Sequence, residues 1–164
     1  MSLRFRLNNT TKTESMFSKS CKYAIRAVLY LAVHSTEEKK FGVKEIAEAL
    51  DIPKPFLAKL LQQLSRQGLI SSAKGPSGGF FLSEDDRAAP LRQVVEAIDG
   101  PEVFSSCILG LPTCSSRNPC PLHTKAINYR ESLLKLVDDQ SIQDLAKRIQ
   151  RMKLALGPSD YSVF

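Results

Sequence analysis

The sequence has no apolar run long enough to cross a bilayer. Its longest uninterrupted stretch, Ala27 to Val33, falls far short of the roughly 20 residues a membrane helix needs. No secretory signal is expected either, because residues 1–15 carry Arg4, Arg6 and Lys12 but no continuous apolar segment. There is no glycine-rich phosphate loop, no pair of carboxylates and no third group placed to orient a base beside a Cys–His pair, which argues against an enzyme. Internal repeats and low-complexity tracts are missing as well. The expectation is a cytoplasmic protein, and in that reducing compartment its four cysteines serve as free thiols or metal ligands rather than as a disulfide framework.

What is present suits a folded chain of one domain plus an appended helical element. The chain has 164 residues, 43% hydrophobic and 24% charged, enough apolar material for a core. Its formal net charge of +6 fits a polyanionic partner but is weak evidence alone. Apolar residues at Ala24, Ala27, Val28 and Leu31 follow the i, i+3, i+4, i+7 stripe of a buried helix face. A second stripe, Val43, Ile46, Ala47 and Leu50, ends at Pro53 and Pro55, which stop one helix and open the next. The third, Leu57, Leu60, Leu61 and Leu64, stops at Gly68.

After Gly68 two short runs, 69–74 and 80–82, flank Gly75-Pro76-Ser77-Gly78-Gly79, which predicts a hairpin. A fourth helical stripe carries Leu91, Val94, Val95 and Ile98 and ends at Gly100-Pro101. Beyond an irregular stretch, Leu122, Ala126, Tyr129, Leu133 and Leu136 alternate steps of four and three, the seam of a long helix packed on another helix. Ser141 then caps a last stripe at Ile142, Leu145, Ala146 and Ile149. The fold expected is mainly α with a small β wing, a winged helix-turn-helix followed by a long C-terminal dimerisation helix.

From Ile52 to Ser83 there is no acidic residue, although Lys54, Lys59, Arg66 and Lys74 lie within it. If the leucines of the third helix face the core, its other face presents Lys54, Pro55, Ala58, Lys59, Gln62, Gln63 and Arg66. Gln pairs with adenine, Arg and Lys reach guanine or phosphate, and a small Ala admits a thymine methyl, so this face suits the major groove of duplex DNA. Lys74 and Ser77 in the hairpin and Lys19, Lys22 and Arg26 on the first helix are the expected phosphate contacts.

Cys107, Cys114, Cys120 and His123 are separated by six, five and two residues. Thiolates and imidazole ligate iron–sulfur clusters and zinc alike, and spacing alone does not separate them. The lack of a tight Cys-x-x-Cys pair favours iron–sulfur, while a structural zinc or a metal-free thiol switch stays open. Cys21 reads as a buried side chain and His34 as a helix-end residue near the dipole.

Several segments together resemble the Rrf-two-type family of bacterial winged helix-turn-helix regulators: Lys22-Tyr23-Ala24-Ile25-Arg26-Ala27, Gly68-Leu69-Ile70, the stretch from Lys74 to Phe80, and the triple-cysteine loop before a long helix. The resemblance covers nearly everything after Met16. It implies a homodimer joined through the long helix and a cluster on Cys107, Cys114 and Cys120 controlling DNA binding. One branch completes a [2Fe-2S] site with a histidine three positions after the third cysteine, where His123 stands. Another takes an acidic ligand from the first helix, where this chain has Lys22. A [2Fe-2S] cluster is therefore favoured over [4Fe-4S], and aerobically prepared protein is expected to lose it. The gap between Cys107 and Cys114 is one residue longer than is usual in the family, and Ala58 replaces an acidic discriminator.

These readings divide the chain into an extension at 1–15, a winged helix-turn-helix DNA-binding domain at 16–100 and a cysteine-rich loop at 101–121. The dimerisation and C-terminal helices follow at 122–156, with a tail at 157–164. The DNA partner expected for a homodimer is a pseudo-palindromic operator.

Overall fold

The computed structural model describes residues 16–158. The extension expected at 1–15 and all but the first two residues of the tail lie outside them. Among the described residues, seven α-helices and one two-stranded sheet run in the order α1 (Lys19–His34), α2 (Val43–Leu50), α3 (Lys54–Arg66), β1 (Ser71–Ala73), β2 (Gly79–Phe81), α4 (Glu84–Ala88), α5 (Leu91–Asp99), α6 (His123–Asp138) and α7 (Ile142–Met152). A 3-10 turn over Pro101–Phe104 follows α5. Among the described residues no helix is long and apolar enough to cross a membrane.

α1 starts where Ser18 accepts a hydrogen bond from the Cys21 backbone N–H at 3.0 Å, satisfying one of the donors a helix start leaves open. Ser18 itself is held by Asp99 at the end of α5, which accepts from its backbone N–H at 2.8 Å and from its hydroxyl. Asp51 takes a left-handed conformation to end α2, and Pro53 and Pro55 open α3 within three residues of that end. That tight turn makes the helix-turn-helix.

Ala24, Ala27, Val28 and Leu31 are fully buried and form the floor of the main core, into which Ile46, Leu50, Leu57, Leu61 and Leu64 pack from α2 and α3. Ile142 and Ala146 of α7 join the same core, so the last helix packs on the helix-turn-helix. A second cluster joins Cys21, Val95, Phe104, Leu133 and Val137. It fastens α6 and the 3-10 turn to α1 and α5.

The hairpin pairs Ser71 with Phe81, Ser72 with Phe80 and Ala73 with Gly79. Phe41 adds a one-residue third strand, exchanging backbone hydrogen bonds with Phe80 at 3.0 and 2.8 Å. α4 is an element the hydrophobic stripes do not reveal. Ser83 caps it with a reciprocal bond to Asp86, and the buried Asp86 also accepts from the Ser71 hydroxyl at 2.7 Å, tying the hairpin base to the helix.

The third strand approaches so closely that a Cβ on Gly79 would lie 2.8 Å from the Phe41 carbonyl oxygen, at a φ of +151°. Gly79→Ala is expected to cost about 1–3 kcal/mol, read as a lower urea midpoint by circular dichroism, with greater protease sensitivity of the hairpin.

Candidate nucleic-acid interface and cysteine centre

Burial of Leu57, Leu60, Leu61 and Leu64 turns the opposite face of α3 outward. Lys54, Pro55, Lys59, Gln62, Gln63 and Arg66 are exposed there and Ala58 is half-buried. Lys59, Gln62, Gln63 and Arg66 share one shallow recess with Gln67. The Gln63 amide nitrogen donates to the Ala97 carbonyl at 2.7 Å, so part of its hydrogen-bonding capacity is spent holding α3 to α5. Lys74 and Ser77 are exposed at the hairpin tip.

The start of α1 joins this face through aromatic packing. Tyr23 meets Phe56, at the start of α3, edge to face at 5.7 Å. The Lys19 ammonium lies 5.5 Å from the Tyr23 ring, and Lys19 and Lys22 are both exposed. Arg26, expected as a phosphate contact, is engaged within the fold. Its Nε donates to the Leu156 carbonyl and an Nη to the Leu50 carbonyl, both at 2.6 Å. The guanidinium is a clasp between α1, the end of α2 and the segment after α7. Gly157 lies so close that an added Cβ would meet the Ala49 carbonyl oxygen. Lys40, not among the candidates read from the sequence, places its ammonium 5.3 Å from the Phe81 ring of β2.

The cysteine loop leaves the 3-10 turn and returns at α6. A short turn, in which Asn118 and Ser115 exchange backbone hydrogen bonds at 3.0 and 3.1 Å, doubles the chain back. The Sγ atoms of Cys107, Cys114 and Cys120 come together within 4.8 Å of one another. Cys107 and Cys120 are 3.7 Å apart. His123, the first residue of α6, places Nδ1 3.1 Å from Cys114 Sγ. All four residues that the sequence singled out are thus neighbours.

Backbone N–H groups of Leu111 and, less strongly, Leu109 draw the Cys107 thiol down to about 7, helped by the other thiols and opposed by partial burial. The Cys120 backbone N–H pulls Cys114 the same way, but burial and the neighbouring sulfurs outweigh it and leave that thiol raised. The His123 Nε2 is buried and has no hydrogen-bond partner among the described residues, a costly arrangement for a polar atom. Three convergent thiols and an imidazole with a spare nitrogen fit a thiophilic metal or an iron–sulfur cluster.

The α6 seam divides between two faces. Ala126, Leu133 and Val137 are buried within the chain, whereas Leu122, Tyr129 and Leu136 are 41%, 49% and 65% exposed at intervals of seven. Leu136 continues into an apolar groove of about 460 Å³ with Leu145, Ile149 and Met152.

Cys21 differs from the loop cysteines. It is fully buried, and burial, reinforced by the charge and hydrogen bond of Asp99, pushes its thiol up to about 12. It therefore stays protonated throughout the neutral range, and thiolate is the reactive form. Alkylation of metal-free native protein near neutral pH is expected to label Cys107, Cys114 and Cys120 and to spare Cys21 until denaturant is added. Peptide mass spectrometry reads the outcome.

The family model for Rrf2, described as iron-dependent transcriptional regulator, matches residues 17–148. A putative HTH-type transcriptional regulator of Aquifex aeolicus is 33% identical over 132 residues, covering 79% of this chain and 90% of that one. The HTH-type transcriptional regulator IscR of Yersinia pseudotuberculosis is 30% identical over 136 residues, covering 77% and 82%. Among solved structures, CymR, the global cysteine regulator of B. subtilis, superposes with a TM-score of 0.66 at 22% identity, covering 80% of this chain and 96% of that chain. That likeness shows the fold alone. With a matching family model over most of its length, an IscR-like relative and the mainly helical winged architecture, this chain belongs to the Rrf2 family and is a DNA-binding transcriptional regulator rather than an enzyme.

Proposed function

We propose that this regulator is a homodimeric, cytoplasmic sensor-repressor whose DNA binding is controlled by an iron–sulfur cluster held by Cys107, Cys114, Cys120 and His123. The observation that carries the reading is the convergence of three Sγ atoms within 4.8 Å, with the His123 Nδ1 3.1 Å from one of them. A [2Fe-2S] cluster is favoured over [4Fe-4S], because His123 stands three positions after the third cysteine, as in the family branch it resembles that holds [2Fe-2S], and Lys22 stands where the other branch has its acidic ligand. Such a group supplies one-electron redox chemistry and sensitivity to oxidants or nitric oxide. The chain's own residues gather the thiols, orient the imidazole and link the loop to α6. Loop order is coupled to the reading unit through Phe104, which shares a buried cluster with Cys21 of α1.

On this reading Lys54, Pro55, Ala58, Lys59, Gln62, Gln63 and Arg66 enter the major groove, while Lys19, Lys22, Lys74 and Ser77 contact phosphates. The exposed stripe Leu122, Tyr129 and Leu136 supports pairing of α6 with a second copy. Two reading heads related by a two-fold axis call for a pseudo-palindromic operator, with half-sites about one helical turn, or a multiple of it, apart. The 3.7 Å separation of Cys107 and Cys120 also favours a second reading, a metal-free thiol switch. Iron and sulfide analysis of anaerobically isolated protein separates the two, and a zinc content of one per protomer would point to a structural site instead.

Anaerobic protein is expected to absorb in the visible and to bind its operator with different affinity before and after cluster removal. Equal affinity in both states would sink the switch. Lys59→Glu places a negative charge in the groove and is expected to weaken operator binding by about 10- to 100-fold, corresponding to about 1–3 kcal/mol, with a shallower salt dependence. Leu136→Glu is expected to shift the protein to monomer in sedimentation velocity, with operator affinity lost in parallel.

A further inference from the structure

α6 contributes more to the cysteine loop than its first residue. Seven positions after His123, and so near the same face of the helix, Arg130 reaches to the other end of the loop. One guanidinium nitrogen donates to the carbonyl oxygens of Ser105 and Ser106, at 2.9 and 2.5 Å. These two residues stand between Phe104, buried in the second apolar cluster, and Cys107. They directly follow the 3-10 turn, whose Glu102 carbonyl accepts from their backbone N–H groups at 3.0 and 2.8 Å. Arg130 supplies donors to carbonyls at that point.

The consequence for the sulfurs is geometric. Cys114 is placed by His123, and Cys120 stands three residues before α6, with its carbonyl accepting from the His123 N–H at 3.0 Å. Both are therefore referred to the start of α6. Cys107 enters from the opposite side, thirteen residues from Cys120 and three after Phe104, which packs with Leu133 and Val137 of α6, so Arg130 carries that tie on through Ser105 and Ser106. Resting on the reading of this loop as a metal centre, we propose that Arg130 is a positioning residue for it. By fastening Ser105 and Ser106 to α6, it brings Cys107 Sγ to the other two sulfurs. A guanidinium suits the task because one rigid, permanently charged group serves two adjacent carbonyls.

The test compares wild type, Arg130→Lys and Arg130→Met, each as the full chain under anaerobic conditions. Metal-free protein is titrated with Co(II) and followed by its thiolate charge-transfer absorption. In parallel the Cys107–Cys120 disulfide formed by diamide, which takes up the two electrons and two protons that the thiols release, is timed by mass spectrometry. Arg130→Met is expected to weaken Co(II) binding by about tenfold or more, the effect of losing a group that orients a ligand, and to slow the disulfide. Arg130→Lys is expected to recover part of both at an unchanged urea midpoint. Wild-type rates and affinity in Arg130→Met would overturn the proposal. So would losses that track the urea midpoint across the variants with no recovery by lysine. If wild type takes no Co(II) yet Arg130→Met still slows the disulfide, the metal reading fails and the placement of Cys107 by Arg130 stands.

Discussion

The need to cover α1 on all sides governs the arrangement of the rest of the chain. Its buried residues include three small ones, Ala24, Ala27 and Ala32, beside Val28, Leu29, Tyr30 and Leu31, so neighbouring elements approach closely and any gap would be costly. α2 and α3 cover one side, α5 another, and α7 returns to complete the main core. At the helix start Cys21 faces Val95, Phe104, Leu133 and Val137. The helix that carries Lys19 and Lys22 thus also touches the element leading into the cysteine loop, and no soft linker separates reading head from centre.

The architecture was largely legible because its signals are periodic and local. The leucine stripe of α3, the prolines before it and the glycines of the hairpin each encode their element within a few residues, and the structure follows them. α4 was passed over because five residues are too few to show a helical period, even though Ser83, Glu84, Asp85 and Asp86 form a plain helix-start pattern. The cysteine set was legible from residue chemistry, since three thiols and an imidazole within a short loop have few other uses.

What sequence could not convey is how long polar side chains spend their hydrogen bonds. Arg26 belongs to a basic face by position, but its two acceptors come from Leu50 and Leu156, remote in the chain. Gln63 on Ala97 and Arg130 on Ser105 and Ser106 pose the same difficulty. A basic residue on an amphipathic helix has several possible partners, and only tertiary packing selects among free carbonyls, aromatic faces and solvent. The apolar seam of α6 divides in a way its spacing does not show. Residues one turn apart share a stripe, yet Ala126 and Leu133 turn inward while Tyr129 and Leu136 stay uncovered.

The Arg26 clasp also sets an order of events during synthesis. α1 is made early, but one acceptor for its guanidinium belongs to Leu156, 130 residues later, and the helix that closes the main core precedes that residue only shortly. A nascent chain that has already emitted α2, α3 and the hairpin therefore still holds an incompletely covered α1. Contacts so distant in sequence form late and slowly. The reading head becomes fully packed only after the cysteine loop and α6 have also been made, so a truncated product ending before α7 would expose apolar surface instead of persisting as a free DNA-binding fragment.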